Sequence, residues 1–475
     1  MGVVHPTQDD PVARALSEGV GGPRGVHARG HRWWTPVRLL LALTALTFAL
    51  GMVQKSGCFA DTWEDGTARY TQMCYSDLPY LYTGRGFAEL NWPFTSDPQV
   101  RARYEVMEYP AGIAYWAYGA AWVTHWLNGS PSLDDRYVAP VDQLWGMPDV
   151  HREIRLYVVV NAIGFAILAL LSTWLLAGVR RERPWDAMAF ALAPTLLAAG
   201  LVNWALLAVA CVAGALFTWS RGRPGWTGVM IGLGTAAKLY PLFLLGGVLV
   251  LAWRSRRWGD LVRAIGGAAV AWGIVNLPAL VSGPAQWKVF WSFNSGRAAD
   301  LGSVWLAASD FLGTTFDVST INSVSWLFFG AWCAAVMVVG MLARRTPTLA
   351  ELGLLIVTGF LLVNKVYSPQ YVLWLLPLAV LARPRWRDQL VWQGAELFYF
   401  ASVWWYLGGF LNSGAGNAHP VYDLSILLRI AGQLFLVALV VRSWYVRREP
   451  VESPGAGSGP GDRQVTETES NVVAV

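Results

Sequence analysis

The sequence predicts an all-α, polytopic integral membrane protein, and three observations carry that expectation. Hydrophobic residues make up 55% of the 475-residue chain and charged residues only 14%, where a soluble protein carries nearer about a quarter. The apolar residues come in continuous runs rather than the alternation of an outer-membrane barrel. Arginine clusters punctuate the runs at their ends, so the net charge of +5 reads as an orientation signal and not as a nucleic-acid surface.

Residues 1–34 are rich in Gly, Pro, His and Arg without periodicity, and are expected to be a disordered cytoplasmic tail. Arg24, Arg29, Arg32 and Arg38 precede or open the first apolar run, 35–53. That run lacks a small-residue cleavage site and is expected to act as an uncleaved anchor that takes the chain outside. Residues 54–153 form the longest polar excursion, in which seven basic residues face thirteen acidic ones, so both its ends are placed outside. Its one apolar stretch, 109–127, is short and studded with Tyr and Trp. It reads as an amphipathic or re-entrant helix at the outer interface. As an ordinary span it would put Arg180, Arg181 and Arg183 outside.

Beyond it, the clusters Arg180/Arg181/Arg183, Arg221/Arg223, Arg254/Arg256/Arg257, Arg344/Arg345, Arg383/Arg385/Arg387 and Arg442/Arg447/Arg448 all fall on one side if the chain goes out and back between each pair. The runs are 154–178, then hairpins 186–219 (tip near Asn203) and 225–253 (tip near Lys238), then 261–281, 321–343, 349–364, 371–382, 390–411 and 422–441. This gives about 12 transmembrane helices in a domain 35–448, with both termini cytoplasmic. The two hairpins leave only about 14–17 residues per crossing, short of the usual 20, so those helices are expected to be broken or to run partly outside the hydrocarbon. Residues 449–475 are expected to be a second disordered cytoplasmic tail.

Of four cysteines, Cys211 and Cys333 fall in apolar runs and read as packing residues. Cys58 and Cys74 share the first loop, and a disulfide between them suits a loop outside the cytoplasm. Six His are scattered without metal-ligand spacing. Phosphate-loop, dinucleotide and Gly-X-Ser-X-Gly fingerprints are absent, so a donor for outer-face chemistry has to arrive through the membrane as a lipid.

Polar groups collect on the predicted outer tips. The first loop offers Asp61, Asp65, Asp77, Tyr80, Tyr82, Arg85, Glu108 and Tyr109; later tips offer Asn203, Lys238, Tyr240, Arg297, Lys365, Tyr367, Gln370, Asn412, Asn417 and His419. Lys238 and Lys365 oppose the positive-inside bias and call for an anionic partner. A lipid phosphate fits a compact ammonium; a neighbouring carboxylate is the plainer alternative. Many of the 27 Trp read as interfacial belt, although Trp92, Trp116, Trp291 and Trp305 also suit stacking on a sugar or prenyl chain.

Four segments carry a resemblance: Tyr75-Ser76-Asp77-Leu78-Pro79-Tyr80-Leu81-Tyr82, Glu108-Tyr109-Pro110, Lys238-Leu239-Tyr240-Pro241 and Tyr367-Ser368-Pro369-Gln370-Tyr371. Together, over roughly residues 35–440, the chain resembles family 87 of the GT-C glycosyltransferases, the actinobacterial polyprenol-phosphate-mannose-dependent mannosyltransferases and uncharacterised relatives. The resemblance implies a GT-C fold, an acidic residue of the first outer loop as catalytic base, and a polyprenyl-phosphate sugar as donor. Asp77 matches that acid. Relatives often read Asn-Trp-Asp-Leu at the first hairpin tip, where this chain has Asn203-Trp204-Ala205-Leu206.

The expected chemistry is inverting transfer of a sugar, mannose by the resemblance, to an envelope lipid or glycan at the outer face of the plasma membrane. Asp77 acts as general base, and Lys238, Lys365 and Arg297 hold the leaving phosphate. Tyr80, Tyr82, Glu108, Tyr240, Tyr367, Gln370 and His419 are expected to line the site. Asp61 and Asp65 are rival bases, and a helix cap or an ion pair with Arg85 is the bland reading of Asp77. No cofactor or metal is required, although a divalent ion on an acidic pair stays open. A flippase or transporter of a lipid-linked envelope precursor is the alternative function, and a silent envelope scaffold a third; ionisable residues near the outer ends, rather than at mid-membrane, favour the enzyme.

Overall fold

The computed structural model describes residues 33–411 and 419–445, and is helical throughout with no strand among the described residues. The predicted disordered tails, Asn412 and Asn417 fall largely or wholly outside them. The longer helices are α1 (Pro36–Gln54), α2 (Asp77–Gly84), α3 (Ala111–Leu127), α4 (Pro148–Val179), α5 (Ala205–Ser220), α6 (Pro224–Ala237), α7 (Leu244–Ser255), α8 (Trp258–Ser282), α9 (Pro284–Gly296), α10 (Val304–Leu312), α11 (Val318–Leu342), α12 (Leu349–Val363), α13 (Val372–Ala382), α14 (Trp386–Leu407) and α15 (Pro420–Tyr445). Helices α1, α4, α8, α11 and α15 are long and apolar enough to cross a membrane. Four shorter apolar helices, Ala205–Ser220, Tyr240–Ser255, Leu349–Val363 and Pro369–Ala382, accompany them. The chain is a membrane-embedded helical protein.

The first leg of the first hairpin is broken into Pro184–Ala187, Met188–Ala191 and Pro194–Ala199. Pro194 lacks an N–H and pushes the residue before it out of helical geometry, so the helix restarts there. The stretch between the predicted runs 261–281 and 321–343 carries two further helices, α9 and α10. Pro284 opens α9, and the Ser303 side chain caps α10 by accepting from Leu306 N–H.

Small residues bring α6 against α8. A Cβ added at Gly228 would sit 1.9 Å from the Ala264 carbonyl oxygen, and one at Gly232 2.3 Å from that of Ala268. Glycines four apart on one face let the two backbones touch, the usual device where lipid removes the hydrophobic drive for helix association. Helices α1 and α4 are joined by a hydrogen bond between Thr44 and Thr173 (2.7 Å).

Arginines tie together helix ends on one face. Arg180, after α4, donates to the Leu381 carbonyl at the end of α13. Arg254 of α7 donates to the carbonyls of Gly340, Met341 and Ala343 at the end of α11, satisfying groups a helix end leaves free. Arg345 reaches Ser443 near the end of α15. These ends are the ones the arginine clusters assign to a common side. Helix α4 has 32 residues, so at 1.5 Å per residue it is about 48 Å long and overshoots a hydrocarbon core of about 30 Å. Its first turns stand in the polar lobe built by residues 55–147.

That lobe is fastened to α4 by a buried charge network. Arg136 is fully buried; it donates to Glu153 (2.6 Å) and the Ala88 carbonyl (2.6 Å) and pairs with Asp149. Glu153 also accepts from Tyr82 Oη at 2.6 Å. A disulfide joins Cys58 and Cys74, with Cα atoms 5.7 Å apart.

Candidate active site

Asp77 is placed by a segment held from several directions. Gln54 Nε2 donates to the carbonyls of Gln72 and Met73, Lys55 Nζ to those of Met73 and Tyr75, and Trp63 Nε1 to that of Cys74. Next, Ser76 Oγ donates to the Leu201 carbonyl (2.9 Å), and Asp77 N–H to that of Val202 (2.8 Å). These two bonds dock the start of α2 onto the tip before α5. Ser76, not Asp77, caps α2, and Arg85 pairs with Glu108 (3.0 Å) and Glu105 (3.5 Å). Neither bland role of Asp77 is therefore the one its side chain plays.

The Asp77 carboxylate instead faces a cavity of about 740 Å³. Its Oδ2 accepts from Tyr109 Oη (2.8 Å) and Asn203 Nδ2 (3.2 Å), and Tyr75 bonds it as well. Asn203 also accepts from the Ala205 N–H (3.1 Å), so one side chain both holds the first N–H of α5 and bonds the carboxylate. Burial raises the Asp77 carboxyl above the ordinary carboxylate range; hydrogen bonds from Tyr109, Tyr75 and Asn203 and the charge of Lys238 pull the other way. Lys238 Nζ lies 4.4 Å from the centre of the Tyr109 ring, a cation–π contact. Burial lowers this ammonium to about 8, opposed by the Asp77 charge.

Of the residues read from sequence, Asp77, Glu108, Lys238, Arg297, Lys365 and Gln370 all line this one cavity. Arg297 is ion-paired with Asp300. Lys365 Nζ donates to the carbonyls of Asn294 (3.0 Å) and Ser295 (2.8 Å), which leaves one of its three protons over. Backbone bonds Asp300 N to Lys365 O (2.8 Å) and Tyr367 N to Leu301 O (2.7 Å) hold these two loops together. Gly302 makes their approach possible: its φ is +67°, and a Cβ there would lie 2.0 Å from Tyr399 Oη.

Five expected lining residues and both rival acids stand elsewhere. Tyr82 is spent on Glu153. Tyr80 donates to the Trp63 carbonyl and accepts from Arg69. Tyr240 stacks on Trp374 (4.6 Å), which stacks on Tyr371 (4.0 Å), so it backs the cavity wall without reaching it. Tyr367 is buried, donates to Glu396 (2.9 Å), and carries the Arg429 guanidinium 3.6 Å from its ring centre. His419 packs on Tyr406 (4.8 Å). Asp61 accepts from the N–H groups of Trp63 and Asp65, and Asp65 from those of Thr67 and Ala68; both serve turns of the lobe, not the cavity. Ala205 is fully buried and does not line the cavity. It stands at the first position of α5.

Sequence reasoning missed two groups. Phe290, Trp326, Phe329 and Phe360, from α9, α11 and α12, form an apolar lobe. Tyr70 and Trp404 form part of an aromatic one. Nothing in a run such as Trp404-Trp405 distinguishes a cavity ring from a membrane belt. Among the described residues no three His, Cys, Asp or Glu side chains are grouped to hold a metal ion.

The arrangement joins a hydrogen-bonded carboxylate, three cations and an apolar lobe walled by helices of the membrane domain. Such a site can take a proton from a hydroxyl while holding an anionic lipid. A comparison with curated proteins finds no match. The model of glycosyltransferase family 87 matches residues 148–369, which run from the start of α4 through the Lys238 and Lys365 loops to the Ser368-Pro369 turn. Over that stretch the chain is similar to the membrane-helix glycosyltransferases of family 87.

Proposed function

We propose that this protein moves a sugar, mannose by its resemblance, from a polyprenyl-phosphate donor to an envelope lipid or glycan on the outer face of the plasma membrane. The observation that carries the reading is that one cavity is lined both by Asp77 and Lys238 and by Phe290, Trp326, Phe329 and Phe360. A prenyl chain suits the apolar lobe and a phosphate suits the cations. The Asp77 carboxylate takes the acceptor hydroxyl proton as the oxygen bonds to the anomeric carbon. The carbon–oxygen bond to phosphate breaks with inversion, and its electron pair leaves on the phosphate. Lys238, Lys365 and Arg297 stabilise the charge that gathers there. The Cys58–Cys74 disulfide supports an oxidising location for the lobe that carries Asp77.

Purified protein in proteoliposomes, given radiolabelled polyprenyl-phosphate mannose and an envelope lipid extract, is expected to yield a labelled glycolipid. A nucleotide sugar in place of the lipid donor is expected to yield none. Movement of the donor between leaflets without any transfer would overturn the reading in favour of a transporter.

A further inference from the structure

Two charged side chains lie among the apolar helices and take no part in the chemistry above. Glu396 belongs to α14 and Arg429 to α15, and both are buried. Arg429 stands about 14 Å along α15, a helix long and apolar enough to cross a membrane. Ionisable groups at such depth are expensive and usually mark function. Stability alone does not account for them, because apolar residues of similar volume commonly hold a core as well or better.

Glu396 and Arg429 meet on Tyr367. The Tyr367 hydroxyl donates to Glu396 Oε2 (2.9 Å), while Trp392 Nε1 (3.0 Å) and Gln433 Nε2 (2.8 Å) donate to Oε1. The Arg429 guanidinium lies on the other side of this link, 3.6 Å from the centre of the Tyr367 ring, and its Nη2 donates to the Gly302 carbonyl (2.9 Å). Tyr399 Oη donates to the Tyr367 carbonyl, and Tyr422 Oη accepts from the Gly302 N–H (2.9 Å). Tyr367 and Gly302 belong to the two loops that the bonds Asp300 N to Lys365 O and Tyr367 N to Leu301 O hold together. The buried charges of α14 and α15 therefore fasten the loop that carries Lys365, two residues from Tyr367, to the membrane helices.

We propose that Glu396 is a positioning residue: acting through Tyr367 and Arg429, it fixes the loop that holds Lys365 against the donor phosphate. This rests on the transfer reading above, which supplies the phosphate. A lysine carries its charge on a long flexible stem, so its backbone has to be pinned for the ammonium to meet a phosphate at one place. Glu396 pins the Tyr367 hydroxyl, the Tyr367 ring seats Arg429, and Arg429 draws in Gly302. Neutralising Glu396 frees the hydroxyl and leaves Arg429 without a balancing charge, and Lys365 moves with the loop.

The test is binding of farnesyl phosphate and of farnesol to the full-length protein in one detergent, read by microscale thermophoresis. Wild type is expected to bind the phosphate at least about tenfold more tightly than the alcohol. Glu396→Gln, which keeps the shape and removes the charge, is expected to weaken farnesyl phosphate about tenfold, and Tyr367→Phe, which keeps the ring under Arg429, about fivefold. Farnesol is expected to bind all of them alike, which also verifies their folding; Tyr367→Phe carries the test should Glu396→Gln fail to fold. Lys365→Met is expected to weaken farnesyl phosphate too, and adding Glu396→Gln to it to cost less than about a further twofold, because the two residues act on one contact. A cluster that only holds the helices together would not tell phosphate from alcohol. Variants that lose both ligands equally, variants that lose neither, or full additivity with Lys365→Met would overturn the proposal. Wild type that binds both ligands alike would instead overturn the phosphate site of the transfer reading.

Discussion

Asp77 and Lys238 are set against each other in a way that predicts a pH profile. The base must be ionised to take a proton. Burial raises Asp77, so the acid limb of kcat/KM is expected above the ordinary carboxylate value of about 3.9. Lys238 must be charged to hold phosphate, and burial lowers it to about 8, so activity is expected to fall as pH rises through that value. Lys238→Arg keeps its charge throughout; it is expected to remove the alkaline limb and leave the acid limb in place. An unchanged alkaline limb in that variant would remove Lys238 from phosphate binding. At this scale much of the site is legible in sequence, because lysines at outer ends and an acid among aromatics are chemically out of place. The roles of Tyr82, Tyr240 and Tyr367 are not legible, since a tyrosine spent on Glu153 or Glu396 is spelled like one that faces a substrate.

Helices meet where small side chains let them and where buried charges pin them. Gly232→Leu is expected to separate α6 from α8 and cost about 1–3 kcal/mol. Because Lys238 ends α6, donor binding is expected to weaken along with the melting temperature; a variant with unchanged stability would contradict the packing described. Arg136→Leu leaves Glu153 buried without its cation, with an expected cost of about 3–5 kcal/mol. Limited proteolysis is expected to cut residues 85–147 first, and cleavage elsewhere would contradict the role of Arg136 as the fastening of the lobe. Hydrophobic runs foretell the positions of most helices, and the short first hairpin foretells a broken leg, in which Pro194 restarts the helix. They do not foretell α9 and α10, whose apolar and polar residues are too mixed to read as spans. The arginine-by-arginine logic predicts which helix ends share a face, and Arg180, Arg254 and Arg345 each reach across that face.

The described residues form an array of apolar helices with a polar lobe, and the cavity that holds Asp77 is lined by both. The proposed sidedness rests on the disulfide and the arginine-bearing ends, and it is testable in cells. Asp135→Cys, on the exposed surface of the lobe, is expected to react with a membrane-impermeant maleimide in intact cells. Arg263→Cys, near the start of α8 and with 65% of its side chain exposed, is expected to react only after permeabilisation. The reverse pattern would invert the topology. The central claim is that the Asp77 carboxylate is the base of a lipid-dependent sugar transfer. It is tested most directly by the transfer rate of Asp77→Asn in proteoliposomes, beside Asp61→Asn and Asp65→Asn. The account predicts a fall of about 10²–10⁴-fold for Asp77→Asn alone, with farnesyl phosphate binding retained. Transfer that survives Asp77→Asn, or that is lost with Asp61 or Asp65 instead, would contradict it.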